Sequence, residues 1–188
     1  MEDQMLLWSN ALKGDKAAFK QLLEIYFPIL YNYGMGFSQD KEVVKDTIQD
    51  LFIVIWNSRS NLKKEVNVKA YLLCSFRRAL QKKANPRVKT ISLTNYQEDR
   101  SSFHLNTSVE EDLIRKESVA KTANNMVALV NALPSRQKEV VYLHFFSALS
   151  RDEISEILGI APQTVSNILQ MALKKLRASA RNPVEISA

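Results

Sequence analysis

Apolar residues in this chain recur three and four positions apart almost everywhere, and alternation of β-branched residues is rare. That period brings side chains to one face of an α-helix, whereas a half-buried strand needs a period of two. Only four glycines occur in 188 residues, so few positions favour the positive φ that tight strand turns demand. The pattern predicts an all-α protein. Its 46% hydrophobic content is that of a chain that buries a core, and its length suits one ordinary domain or two small ones.

A first helix over about Asp3 to Lys13 should stop at Gly14, a natural left-handed cap, after which the Asp15 carboxylate can cap a second helix. Phe19, Leu22, Leu23, Tyr26, Phe27 and Leu30 mark the buried stripe of that helix; Pro28 should bend it, and Gly34 and Gly36 should close it. A third helix, about Lys41 to Trp56, turns Val44, Ile48, Leu51, Phe52 and Ile55 inward. A polar loop, Asn57 to Asn67, leads to a fourth helix, about Val68 to Lys83, which buries Tyr71, Leu72 and Phe76 before becoming strongly basic. These helices complete a first domain, residues 1–85.

The helical pattern lapses over residues 86–108, where nine of 23 residues are Ser, Thr or Asn; that composition and length read as a flexible linker between two small domains. Ser108 to Glu111 has the S-x-x-E form of a capping box, so a long helix should run from there to about Leu133 and open a second domain, residues 109–182, with 183–188 as a tail. Pro134 begins the next helix. Within the second domain, Arg151 to Gln170 has the spacing of a helix-turn-helix, with Gly159 at the turn and Ile154, Leu158, Ile160, Val165 and Ile168 at the apolar positions. An ordinary αα-hairpin shares much of that spacing. On the nucleic-acid reading, the helix from Pro162 presents Gln163, Thr164, Ser166, Asn167 and Gln170 to base edges and phosphates, followed by the basic Lys174, Lys175, Arg177 and Arg181.

In the first domain, Asp46, Gln49 and Asp50 share an outward face with Ile53, a polar ridge with an apolar neighbour that suits a protein partner. A solvated acidic face, or a divalent-metal site made of Glu42, Asp46 and Asp50, are the alternatives. Oxygen cages need more ligands than one helix face supplies, so the expectation is no metal and no cofactor. From Arg77 to Lys89 there are six basic residues and no acidic one, which makes Arg77, Arg78, Lys82 and Lys83 suited to neutralising phosphates. The net charge of +6 points the same way. Cys74 is the only cysteine, so no internal disulfide can form, and it reads as a small buried hydrophobe. His104 and His144 have no evident catalytic partner, which leaves an enzyme reading weak. The acidic N-terminus and the lack of a long apolar run lead to the expectation of a cytoplasmic protein without direct membrane insertion.

Several stretches, in order, resemble bacterial sigma factors of the two-domain extracytoplasmic-function type. Val43 to Trp56 resembles the D-x-x-Q-[DE]-x-F-x-x-x-W helix of that family, Ala70 to Arg78 resembles its W/Y-L-x-x-x-x-[RK]-N stretch with Arg78 in place of the frequent Asn, and Leu133-Pro134-Ser135-Arg136-Gln137 resembles the opening of its C-terminal domain. The resemblance implies that Asp46, Gln49, Asp50 and Ile53 dock on the core RNA polymerase and that the fourth helix reads the downstream promoter element. It further implies that the loop bearing Asn61, Lys63 and Lys64 holds a base extruded from the opening promoter DNA. An anti-sigma partner is implied too. Ala161 lacks the capping hydroxyl frequent before the family's recognition helix, and amides and hydroxyls stand where Lys or Arg is usual; Gln163 and Asn167 can each pair with adenine. The rival readings are a helix-turn-helix regulator that does not bind core polymerase and a metal-dependent nuclease.

Overall fold

The computed structural model describes residues 2–84, 103–105 and 125–181. Among the described residues the regular structure is helical and none is strand, as the apolar period required. The chain divides into two compact units, residues 1–97 with 156–159, and residues 98–155 with 160–188.

The first unit is built on α1 (Glu2–Leu12), α2 (Lys16–Met35), α3 (Lys41–Asn57) and α4 (Val68–Ala84), with one 3-10 turn at Arg59–Asn61. The starts of α2, α3 and α4 each have a local cause. Gly14 takes φ +97°, and its N–H donates to the Ala11 carbonyl at 3.0 Å. Asp15 Oδ1 then accepts the Ala17 and Ala18 amides at 2.8 and 3.1 Å. Asp40 repeats the device for α3, taking the Glu42 and Val43 amides, and Asn67 Oδ1 takes the Ala70 amide for α4.

Between these caps the helices bury one face each: Trp8 and Ala11 from α1; Ala18, Leu22, Tyr26, Leu30 and Tyr33 from α2; Val44, Ile48, Leu51, Phe52 and Ile55 from α3; Leu72, Leu73, Phe76 and Leu80 from α4. The expected stripe of α2 proves too wide, for Phe19, Leu23 and Phe27 are only half-buried. Tyr71 is half-buried too, its ring 5.5 Å from that of Trp8, and Cys74 is half-buried rather than a core residue. Pro28 lies on the exposed side of α2, which stays helical on both sides of it.

Gly34 does not end α2; the helix runs on to Met35, with Gly36 at its C-cap and φ −69°. Its role is close approach. A Cβ on Gly34 would lie 2.7 Å from Val44 Cγ1 of α3 and 2.9 Å from Phe76 Cζ of α4, so a hydrogen at this position is what lets α2 meet both neighbours.

The second unit contains α5 (described over residues 125–131), α6 (Ser135–Val141), a π turn at Tyr142–Phe146, the start of α7 (Arg151–Leu158), whose residues from 156 on the division assigns to the first unit, and α8 (Pro162–Arg181). Its core includes Val130, Leu133, Val140, Val141, Leu143, Leu149, Ile154, Val165, Leu169 and Ala172. The π turn closes where the Ser147 amide reaches back to the Tyr142 carbonyl at 3.0 Å. Beyond it Ala148 holds φ +52°, the one non-glycine at positive φ among the described residues. A capping box starts α7: the Ser150 amide donates to Glu153 and the Glu153 amide donates to Ser150 Oγ at 3.2 Å. The S-x-x-E spacing of that box, Ser150-Arg151-Asp152-Glu153, is legible in the sequence. The one expected at Ser108, with the first part of its long helix and the tail, lies outside the described residues.

Residues 103–105 depart from the expectation of a structureless linker over 86–108. Phe103 and Leu105 are buried at 1% and 8% exposure. The remainder of that expected linker lies outside the described residues.

Two predictions follow from this packing. Gly34→Ala should destabilise the first unit by about 1–3 kcal/mol, the usual cost of forcing a methyl into a filled core, read as a lowered Tm in thermal denaturation. Burial pushes the Tyr142 phenol up to about 12 from 10.0, against a hydrogen bond with Ser147 that lowers it. A phenol whose folded pKa is raised favours the folded state while neutral, so its contribution is complete below pH 10 and declines as pH rises from 10 toward 12. Burial raises the Tyr26 phenol as well, so ultraviolet titration should show a late-ionising tyrosine phase that loses one phenol in Tyr142→Phe.

Candidate functional site

Burying Val44, Ile48, Leu51 and Ile55 obliges the opposite side of α3 to face water, and Asp46, Gln49, Asp50 and Ile53 all lie there, with Ile53 half exposed at 50%. Asp50 is not alone: Lys83 Nζ from the last turn of α4 sits 2.8 Å from its Oδ2. A residue expected to meet a protein partner is thus ion-paired with one expected to meet phosphate. Both side chains are solvated, so the pair is worth only about 0–1 kcal/mol. Glu42 pairs with Lys45 at 2.9 Å, and the resulting hydrogen bond and charge raise the Lys45 pKa above the ordinary lysine value. Among the described residues no group of three His, Cys, Asp or Glu side chains is placed to hold a metal ion.

Beside the ridge lies a feature the sequence reading missed. The half-buried Phe19, Leu23 and Phe27 of α2 and Phe52 and Trp56 of α3 line a groove of about 600 Å³, with Gln49 and Ile53 also in its wall. The signal was present: the adjacent apolar pairs Leu22-Leu23 and Tyr26-Phe27 are more than one stripe can bury. Phe19 contacts both Phe52 and Trp56, with ring centres 5.7 and 4.9 Å away. The Arg59 guanidinium stacks 4.6 Å over Trp56 and donates to its carbonyl at 2.7 Å.

The loop after α3 is pinned where Trp8 Nε1 donates to the Lys63 carbonyl at 3.0 Å, and the side chains of Asn61, Lys63 and Lys64 are exposed. On α4, Arg78, Lys82 and Lys83 are exposed, whereas Arg77 is only 7% exposed. That corrects the expectation for Arg77: its position falls on the same face as Leu73 and Leu80, and its guanidinium is withdrawn from the solvent where a phosphate would be met.

Between α7 and α8 Gly159 turns the chain at φ +64°, and the Ile160 amide reaches back to the Ser155 carbonyl at 3.1 Å, closing α7 in the manner of a Schellman motif. Ile154 and Val165 are fully buried and Leu158 is buried. Ile160 and Ile168 are only half-buried; Leu169 and Ala172 take the inward positions after Val165, at steps of four and three. The same helical period sets Gln163, Asn167, Gln170, Lys174 and Arg177 along one exposed line. Gln163 Nε2 donates to Asn167 Oδ1 at 3.1 Å, which orders two amides across one helical turn. Thr164 and Ser166 are half-buried, and Ser166 Oγ donates to the Pro162 carbonyl at 3.1 Å. Lys175 is exposed.

Residues 123–176 match the family described as Sigma-70, region 4. The chain is 23% identical over 168 residues to the RNA polymerase sigma factor YlaC of Bacillus subtilis, an alignment covering 85% of this chain and 90% of that one. A shorter stretch of 49 residues is 39% identical to the sigma factor SigF of Mycobacterium tuberculosis, covering 26% of this chain and 19% of that one. Among solved structures, CnrH in complex with the cytosolic domain of CnrY shares the fold with a TM-score of 0.63 at 18% identity, covering 95% of this chain and 97% of that one. RpoE of Bartonella quintana, solved with the anti-sigma factor NepR, has a TM-score of 0.53 at 20% identity, covering 87% of this chain and 97% of that one.

The contrast between Arg77 and Arg78 is open to test by stability alone. Removing the buried side chain in Arg77→Ala should cost about 2 kcal/mol or more, while the exposed Arg78→Ala should stay within about 0.5 kcal/mol of the parent in denaturant unfolding.

Proposed function

We propose that this chain, a member of the sigma-70 family of the extracytoplasmic-function type, acts in the cytoplasm as an RNA polymerase sigma factor that binds the core enzyme and directs it to promoters. The observation that carries the reading is the pairing, on one chain, of the region 4 reading helix with the exposed acid and amide ridge of α3. Likeness to a sigma factor along most of the chain supports the same conclusion.

The ridge residues Asp46, Gln49, Asp50 and Ile53 are the contact to polymerase. Carboxylates and an amide beside an exposed isoleucine offer charge for partner selection and an apolar anchor for affinity. Arg78, Lys82 and Lys83, together with Asn61, Lys63 and Lys64 of the preceding loop, meet the downstream element and its opened strand, where the cations replace condensed counterions on phosphate. In the second unit the ordered amides of Gln163 and Asn167 read base edges, Thr164, Ser166 and Gln170 lie beside them, and Lys174 and Lys175 supply phosphate contacts. Nothing covalent is required. Melting follows from the binding energy of captured bases, and an anti-sigma factor, of the kind bound to the Bartonella relative, is the expected antagonist.

Run-off transcription on genomic fragments with bacterial core polymerase should yield discrete transcripts only when the protein is added. Reversing Asp46 and Asp50 to Lys together should reduce core association at least about tenfold while leaving the helical circular dichroism unchanged, since both side chains are exposed. Undiminished co-migration of that variant with core polymerase would remove the ridge from the docking surface.

A further inference from the structure

The short segment Phe103-His104-Leu105 is held in the second unit by groups suited to an extended backbone. The Phe103 amide donates to Ser135 Oγ at 2.7 Å. The Leu105 amide donates to Asn131 Oδ1 at 2.8 Å, and Asn131 Nδ2 returns a bond to the Leu105 carbonyl at 2.9 Å. One side-chain amide thus satisfies both polar groups of a single residue, as a neighbouring strand would. Side chains two apart complete the fit, for Phe103 and Leu105 are buried while His104 between them is exposed. The Phe103 ring packs 5.5 Å from that of Tyr142. Asn131 is itself steadied by Lys138, whose Nζ donates to its backbone carbonyl at 3.4 Å.

Backbone bonds together with two buried side chains are what a docked peptide segment uses, yet this segment lies where the composition reads as linker. We infer that Phe103–Leu105 is an anchor, seated in a slot of Asn131, Ser135 and Tyr142, that fixes the point at which the interdomain connection leaves the DNA-reading unit. The proposal rests on the sigma-factor reading for its consequence, though not for its geometry.

Between Ala84 at the end of α4 and Phe103 stand residues 85–102. Eighteen residues can span at most about 60–65 Å when fully extended. Releasing the anchor would add at least residues 103–105 to that tether, three residues and roughly 10 Å of reach, about three base pairs of B-form duplex. The anchor therefore restricts how far apart the two promoter elements can lie while both units hold DNA, a limit set by tether length and not by either unit's affinity.

The test uses the full-length protein and its Phe103→Ala, Leu105→Ala double variant, which alters only the segment and leaves the helices in place. Amide hydrogen exchange by NMR should show the residue 103 and 105 amides protected at least about tenfold in the parent and unprotected in the variant; rapid exchange of both in the parent overturns the anchor. In run-off transcription on promoters whose elements are separated by two and four additional base pairs, activity relative to the native spacing should be about threefold or more higher in the variant than in the parent. Identical spacing profiles overturn the role in spacing. No transcription by the parent on any template overturns the sigma-factor reading and its spacing consequence together, while the exchange measurement still decides the anchor.

Discussion

The inward face of α3 is the constraint on which the first unit depends. Val44, Ile48, Leu51, Phe52 and Ile55 can leave water only if α2 and α4 close on them, and the closure needs Gly34, because any side chain there would collide with Val44 and Phe76. Burying five apolar residues on one side of a helix fixes its rotation. With the rotation fixed, Asp46, Gln49, Asp50 and Ile53 have no choice but to stand in solvent as a row. The exposed ridge is the complement of the core, and its geometry is as rigid as the packing behind it.

A similar logic shapes the second unit at its reading helix. Val165, Leu169 and Ala172 turn inward, so the residues offset from them by about half a turn, Gln163, Asn167, Gln170 and Lys174, project outward in line. The Gln163–Asn167 bond then orders two flexible amides. Along that exposed line the amides come first and the cations follow. The start of α7 is held by the Ser150–Glu153 capping box and its end by the left-handed Gly159.

Charge in the first unit is distributed less simply than the run of basic residues suggests. Six cations between Arg77 and Lys89 read in sequence as one basic patch, but two of them are already committed. Arg77 is inside, and Lys83 is drawn to Asp50. Of the basic residues described on α4 from Arg77 onward, Arg78 and Lys82 are the exposed ones for which no ion pair is seen. The Asp50–Lys83 pair also means that the ridge and the basic end of α4 share an electrostatic environment, though its exposure keeps the coupling small.

The sequence alone determined the helical class, because a three-to-four residue period admits no sheet, and it placed the caps at Asp15, the turns at Gly14 and Gly159, and the outward row on α3. These are local consequences of side-chain spacing and backbone sterics, so they need no knowledge of partners in space. Tertiary structure decided what depends on distant neighbours. It made Gly34 a contact instead of a stop, left Phe19, Leu23 and Phe27 lining a groove because the core had no room for a second row, and turned Arg77 inward. It likewise shifted the inward stripe of α8 from Ile168 to Leu169 and seated Phe103 against Ser135 and Tyr142 and Leu105 against Asn131, a residue 26 positions away from Leu105. Period and composition describe what a residue prefers; which of two adjacent apolar residues is buried, or which of two adjacent arginines, is settled only by the surface that arrives to cover it.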